Sequence, residues 1–149
     1  MITIGLICEG VSEINIMTRI ISKYFNEETD VNPIEPETIL ENGRRIQKDG
    51  SYGGWQQVLR HCNDETITNI LDFNDYLVIQ IDSDTSGQVG YDVNPLNDDG
   101  KHKEDSMLYN DIKERLHKNI SKEVLEKYAG RILYAICINE IECWLLPLY

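Results

Sequence analysis

The stretch Tyr76-Leu77-Val78-Ile79-Gln80-Ile81-Asp82-Ser83-Asp84 decides the fold. Residues 76–81 are a short apolar run that reads as a buried strand, and it ends in two acids spaced one residue apart. The pattern also stands at the start of the chain. Residues 2–8 are β-branched residues and Leu with no charge, and Glu9-Gly10-Val11-Ser12-Glu13 follows them. Buried strands that release carboxylates at their C-terminal ends are how open α/β sheets build sites for divalent metals and phosphates. Two such strands from distant parts of one small chain are poorly explained as surface charge. They point to magnesium-type phosphoryl-transfer or nuclease chemistry.

Working outward, Gly10 permits a tight turn and Ser12 is the expected N-cap of a first helix carrying Ile14, Met17, Ile20, Ile21 and Tyr24. Residues 26–37 are polar and hold Pro33 and Pro36, so they read as a loop leading at most to a short strand near residues 38–40. Residues 41–54 carry Gly43, Gly50, Gly53 and Gly54 and read as a mobile connection. A second helix is expected over residues 55–71 and a third over 107–128, with Gly130 closing the latter. Between them lies a long segment, 85–106, with almost no apolar periodicity, of a length that is often functional inside a compact domain. Residues 131–138 read as a third buried strand, and 139–149 as the start of a helix with Ile141, Leu145 and Leu148 inward. Strands that alternate with helices predict an α/β fold: a Rossmann-like, mostly parallel sheet of about four strands flanked by helices.

At 149 residues the chain fits one domain, 1–149, with a core large enough to need no disulfides. The apolar end at residues 144–149 reads either as the edge of a longer chain that continues beyond it or as a docking surface. The apolar runs are too short and interrupted to span a bilayer, and the start lacks a basic leader, so a cytoplasmic location with no membrane partner is expected. Cys8, Cys62, Cys137 and Cys143 form no CxxC pair and have no zinc spacing. They read as reduced thiols, with Cys8 and Cys137 packed as small hydrophobes. A net charge of −12 argues against gripping nucleic acid by bulk electrostatics, because phosphate contacts want a basic surface. It leaves a catalyst open, since bound divalent ions invert the local field.

Asp82 and Asp84, two apart on an extended segment, are expected to project to one side. Carboxylates about 4 Å apart repel by about 4 kcal/mol at an effective dielectric near 20, which a divalent cation or a shared proton relieves. A solvated turn is the plainer alternative. Glu9 leaves the first strand and Glu13 lies in the first turn of the next helix, whose N–H groups also favour phosphate oxygens. The plainer reading makes Glu13 a complement to the helix dipole and Glu9 a loop acid. At the third strand's end, Glu142 either leans back over the strand or caps the following helix, and Glu140 faces solvent. All three strands would present acids at one carboxyl edge. Oxygen-only ligands suit Mg²⁺ or Mn²⁺ over zinc. Held by Glu9, Asp82 and Asp84, such ions would orient water and neutralise charge on a transferring phosphoryl group.

The strand–Glu9-Gly10-x-Ser12-Glu13 and strand–Asp82-x-Asp84 pair resembles the Toprim (topoisomerase–primase) domain. The same EGxSE form, with Ile-Glu-Cys-Trp-Leu-Leu-Pro at 141–147, resembles small bacterial Toprim-like proteins related to overcoming-lysogenization-defect nucleases, several of which serve anti-phage defence. The resemblance covers most of the chain but rests on about half a dozen residues. It implies a single Toprim-like domain that cleaves phosphodiester bonds, with Glu9, Asp82 and Asp84 catalytic and ligating Mg²⁺ or Mn²⁺. Glu13 and Glu142 would complete the ligand shells. It also implies a nucleic-acid partner, DNA ahead of RNA. The substrate-binding residues are not legible, and the basic residue that assists related nucleases has no motif here. Lys101, His102 and Lys103 match it by type only and read better as a solvated loop. The competing expectation is a regulatory or assembly subunit that binds metal or nucleotide within a larger complex, or that self-associates. A receiver-like phosphoacceptor ranks last, because no strand-end lysine is present. Trp55 and Trp144 are expected in the core.

Overall fold

The computed structural model describes residues 1–25 and 28–144. Four strands form one all-parallel sheet: β1 (Ile2–Ile7), β2 (Thr29–Glu35), β5 (Tyr76–Asp82) and β6 (Ile132–Cys137), in the order β2-β1-β5-β6. Helix α1 (Val11–Tyr24) lies on one face of the sheet. On the other lie α2 (Trp55–His61), α3 (Asp64–Phe73) and α4 (Asp105–His117), with α5 (Lys122–Lys127) beyond them. The expected α/β, Rossmann-like architecture is the observed one.

Alternation along the strands sorts the core into two layers. Ile7, Leu77, Ile79 and Ile81 face α2, α3 and α4, and pack on Val58, Ile67, Ile112 and Leu116. Ile4, Leu6, Cys8, Val78 and Cys137 face α1 and pack on Ile14, Met17 and Ile21. Cys8, Cys62 and Cys137 are buried free thiols, while Cys143 is exposed.

Several expectations are corrected. The polar segment 26–37 contains β2, an edge strand that tolerates Pro33 because it pairs only with β1. The segment 41–54 is no mobile connection. A two-stranded hairpin, β3 (Thr38–Glu41) with β4 (Arg44–Gln47), turns through Asn42 and Gly43, both at positive φ. The helix expected over 55–71 is two, because Asn63 caps α3 by accepting from the Thr66 N–H at 3.0 Å. The helix over 107–128 also divides: Ser121 caps α5, and Asp64 accepts from the Ser121 N–H at 2.6 Å. Ser12 does not cap α1. Gly10 holds the N-cap position without a side-chain bond, and the Ser12 hydroxyl donates to Glu13 at 3.0 Å. The helix expected over 139–149 is a 3-10 turn at Ile141–Trp144, in which Ile141 is buried and Trp144 exposed; Leu145 and Leu148 lie outside the described residues. Trp55 is in the core, against Tyr91. Among the described residues no helix is long and apolar enough to cross a membrane.

Strand order fixes where a ligand belongs. The chain leaves β1 toward β2 on one side and continues through β5 to β6 on the other. The carboxyl ends of β1 and β5 therefore flank the switch point, the crevice where open α/β sheets bind ligands.

Candidate active site at the switch point

Glu9 and Asp82 meet at this switch point, from segments 73 residues apart. The Asp82 backbone N–H donates to Glu9 Oε1 at 2.7 Å. Between them sits Gln80, fully buried in an otherwise apolar strand. Its Oε1 accepts from the Glu9 N–H at 3.2 Å, and its Nε2 donates to Asp82 Oδ1 at 2.7 Å. One neutral amide thus ties both acids to the strands that carry them. Such a buried polar group persists where both its ends are satisfied.

The backbone beneath the acids is pinned from three directions. The Gly54 N–H donates to the Glu9 carbonyl at 2.6 Å, and a Cβ on Gly53 would lie 2.3 Å from that oxygen, so only glycine permits the approach. The Tyr91 hydroxyl, fully buried, donates to the Asp82 carbonyl at 3.0 Å. Asn139, at φ +70°, accepts from the N–H groups of both Ser83 and Asp84 at 3.1 Å, while its own N–H donates to Ser83 Oγ at 2.8 Å. Asn is among the few residues that adopt this backbone readily.

Asp82 ends β5, and Asp84 lies in the turn that follows. The two-residue alternation expected to align them stops at Asp82, because Asn139 bends the chain at Ser83. Asp82 is buried, Glu9 and Glu13 are half-buried, and Asp84 and Glu142 are exposed. Glu13 curls back over Gly10, its Oε2 standing 2.5 Å from where a Cβ on Gly10 would be.

The electrostatics unite these five acids. Burial, then the charges of Asp82, Asp84 and Glu13, push the Glu9 carboxyl up to about 7, against the lowering effect of the Asp82 N–H. Burial, then Glu13, Asp84 and Glu142, push Asp82 up to about 6. Burial first and then Glu13 raise the Cys8 thiol. Among the described residues, no cationic side chain appears among the causes of either shift or pairs with Glu9 or Asp82. The loop cations expected by type are engaged elsewhere: Lys101 pairs with Asp99 at 3.3 Å and Lys103 with Asp111 at 2.6 Å.

The donor set is all oxygen, partly buried and short of positive charge, which suits a hard divalent cation. Among the described residues, no three His, Cys, Asp or Glu side chains stand close enough together to form a ready-made metal cage. Glu9 Oε1 and Asp82 Oδ1 are committed to protein donors, which leaves Glu9 Oε2 and Asp82 Oδ2 for an ion. Sequence reasoning missed Gln80, Gly53, Tyr91 and Asn139. Only Gln80 carried a signal, as the lone amide in a buried strand.

No family model matches this chain, and comparison with curated proteins and with solved structures returned no match.

Proposed function

We propose that this protein is a divalent-metal-dependent phosphodiesterase of Toprim-like type, acting on nucleic acid, with DNA ahead of RNA. A place in anti-phage defence follows from the resemblance of its EGxSE and IECWLLP stretches to such proteins. The observation that carries the reading is the hydrogen bond from the Asp82 N–H to Glu9 Oε1 at the switch point, within a patch of acids whose charges raise both carboxyls.

Glu9 and Asp82 would hold Mg²⁺ or Mn²⁺ together with Asp84, and Glu13 and Glu142 would stand behind them. Bound there, the ion supplies Lewis-acid polarisation of a phosphoryl oxygen and a low-pKa water. The chain's own groups do the rest. Gln80 and the Asp82 N–H fix the two inner carboxylates, so little reorganisation is left for the transition state. Glu9, its Oε1 held by the Asp82 N–H, would present Oε2 to the ion. The uncapped first turn of α1 offers N–H groups to a phosphate oxygen.

The test is a Mn²⁺ titration of thermal stability beside a cleavage assay on single- and double-stranded DNA and RNA. A stabilisation that Asp82→Asn removes, together with lost cleavage, supports the reading by mass-action linkage. Cleavage by Asp82→Asn at the parental rate would end it. The second reading is a metal- or nucleotide-binding regulatory subunit, and the net charge of −12 favours it. It predicts the same metal-induced stabilisation with no cleavage by the chain alone.

A further inference from the structure

On this acidic molecule a groove is lined by two arginines and, among its lining residues, by no carboxylate. It lies between α2 and the C-terminal end of α4, has a volume of about 430 Å³, and is bounded by Trp55, Gln56, Arg60, Gly90, Arg115 and Asn119. Arg60 is exposed and, among the described residues, forms no ion pair. Burial raises the Glu35 carboxyl above its ordinary value, and the charges of His61, 3.6 Å away, and of Arg60 oppose that rise. Arg115 is held in place: its Nε donates to the Tyr91 carbonyl at 2.9 Å and its Nη2 to the Gly90 carbonyl at 2.7 Å. Its Nη1 has no hydrogen-bond partner among the described residues. Arg115 also borders a neighbouring pocket with Asp92, Asp111 and Glu114, so its guanidinium lies between that pocket and this groove. A guanidinium fixed by backbone carbonyls is preorganised for a phosphate oxygen.

The groove joins the carboxylate edge through two hydrogen bonds. Trp55 follows Gly54, whose N–H holds the Glu9 carbonyl. Gly90 precedes Tyr91, whose hydroxyl holds the Asp82 carbonyl. Trp55 and Tyr91 pack with ring centroids 5.3 Å apart, so the wall of the groove also supports the site.

Resting on the reading above, we infer that this groove is the backbone subsite for the DNA strand, with Arg60 and Arg115 meeting a phosphate that flanks the bond cleaved at Glu9 and Asp82. Net charge is a sum over the whole surface, whereas strand binding needs only a local track of positive groups. The arginines act by contact with the strand and take no part in the bond-breaking step.

Binding is measured apart from cleavage, by fluorescence anisotropy of a labelled single-stranded DNA oligonucleotide with the full chain in EDTA, over a range of salt. Arg60→Glu, at an exposed position, is expected to weaken binding about tenfold and to reduce the salt slope by about 0.7, the value of one single-strand phosphate contact. Arg44→Glu makes the same charge change at the turn of the β3–β4 hairpin, outside the groove, and is expected to move affinity less than twofold. Asp82→Asn should bind at least as tightly as the parent. Equal losses in the two arginine variants, or no salt-dependent binding by the parent, would overturn the subsite. The metal-dependent reading would then still stand or fall on the Mn²⁺ shift and cleavage of Asp82→Asn.

Discussion

Two aspartates bracket β5, and the chain treats them in opposite ways. Asp75, just before the strand, accepts from the Thr3 N–H at 2.8 Å and the Thr3 hydroxyl at 2.9 Å. Those bonds, with Arg131 and the chain's amino terminus, hold its carboxyl below the usual range. Asp82, at the other end, is buried among acids and is held above it. The same side chain at two ends of one strand is a fastener in one place and an unmet charge in the other. A fold keeps an unmet buried charge at a cost in stability, and such sites are where function concentrates.

The largest expected difference between the two ends is in activity. Asp82→Asn and Glu9→Gln keep the hydrogen bonds to Gln80 and to the Asp82 N–H but remove a charge each. Metal-dependent cleavage should fall at least about a hundredfold, about 2.7 kcal/mol in barrier, while Asp75→Asn stays within about threefold. Similar rates in all three variants would erase the distinction.

Next comes Gly53→Ala, whose added carbon would meet the Glu9 carbonyl at 2.3 Å. It should lower cleavage about tenfold by displacing Glu9, with a loss of about 1–3 kcal/mol in stability by denaturant unfolding. Parental activity would show that the glycine contact does not position the site.

The acids then separate by pH in metal-free protein. Glu9 and Asp82 bind protons more tightly folded than unfolded, where values near 4.5 and 3.8 apply. Their contribution is fully present below those values and is lost as pH rises through about 6 and about 7. Discounted for partial solvent screening, the parent should lose on the order of 1–2 kcal/mol relative to Glu9→Gln over that window. Parallel stability curves for the two proteins would refute the repulsion. Asp75 has the opposite sign. Its lowered pKa stabilises the fold above the usual aspartate value, and that stability is lost only as pH falls through the folded one. The smallest effect is accordingly a modest drop in melting temperature for Asp75→Asn at neutral pH and none in acid, read by thermal denaturation.

The strands that end in the acids were legible because their apolar runs are unbroken: β1, β5 and β6 are placed within a residue or two of where composition put them. β2 was hidden, because an edge strand with Asp30, Asn32 and Pro33 buries too little to show alternation. The two helix breaks were hidden as well. Apolar spacing carries across Asn63 and Ser121, and the caps that divide the helices depend on single side-chain bonds. Glu9 and Asp82 could be read together, since both leave strands at one sheet edge. Their supports could not. Tyr91 and Asn139 act from a loop and a strand end through backbone contacts that follow no periodicity, and the segment 85–106 that supplies Tyr91 folds on itself through turns and one isolated bridge, Leu96 with His102.

Asn139 has a bearing on biosynthesis. The bend that presents Ser83 and Asp84 takes its backbone partner from a residue made more than fifty positions later. A polypeptide emerging from the ribosome therefore carries both acidic sequences long before it can shape them into a pocket. On the proposed function, ion capture and any cutting that depends on it would be withheld until synthesis has passed β6, and a product terminated before Asn139 would lack the bend.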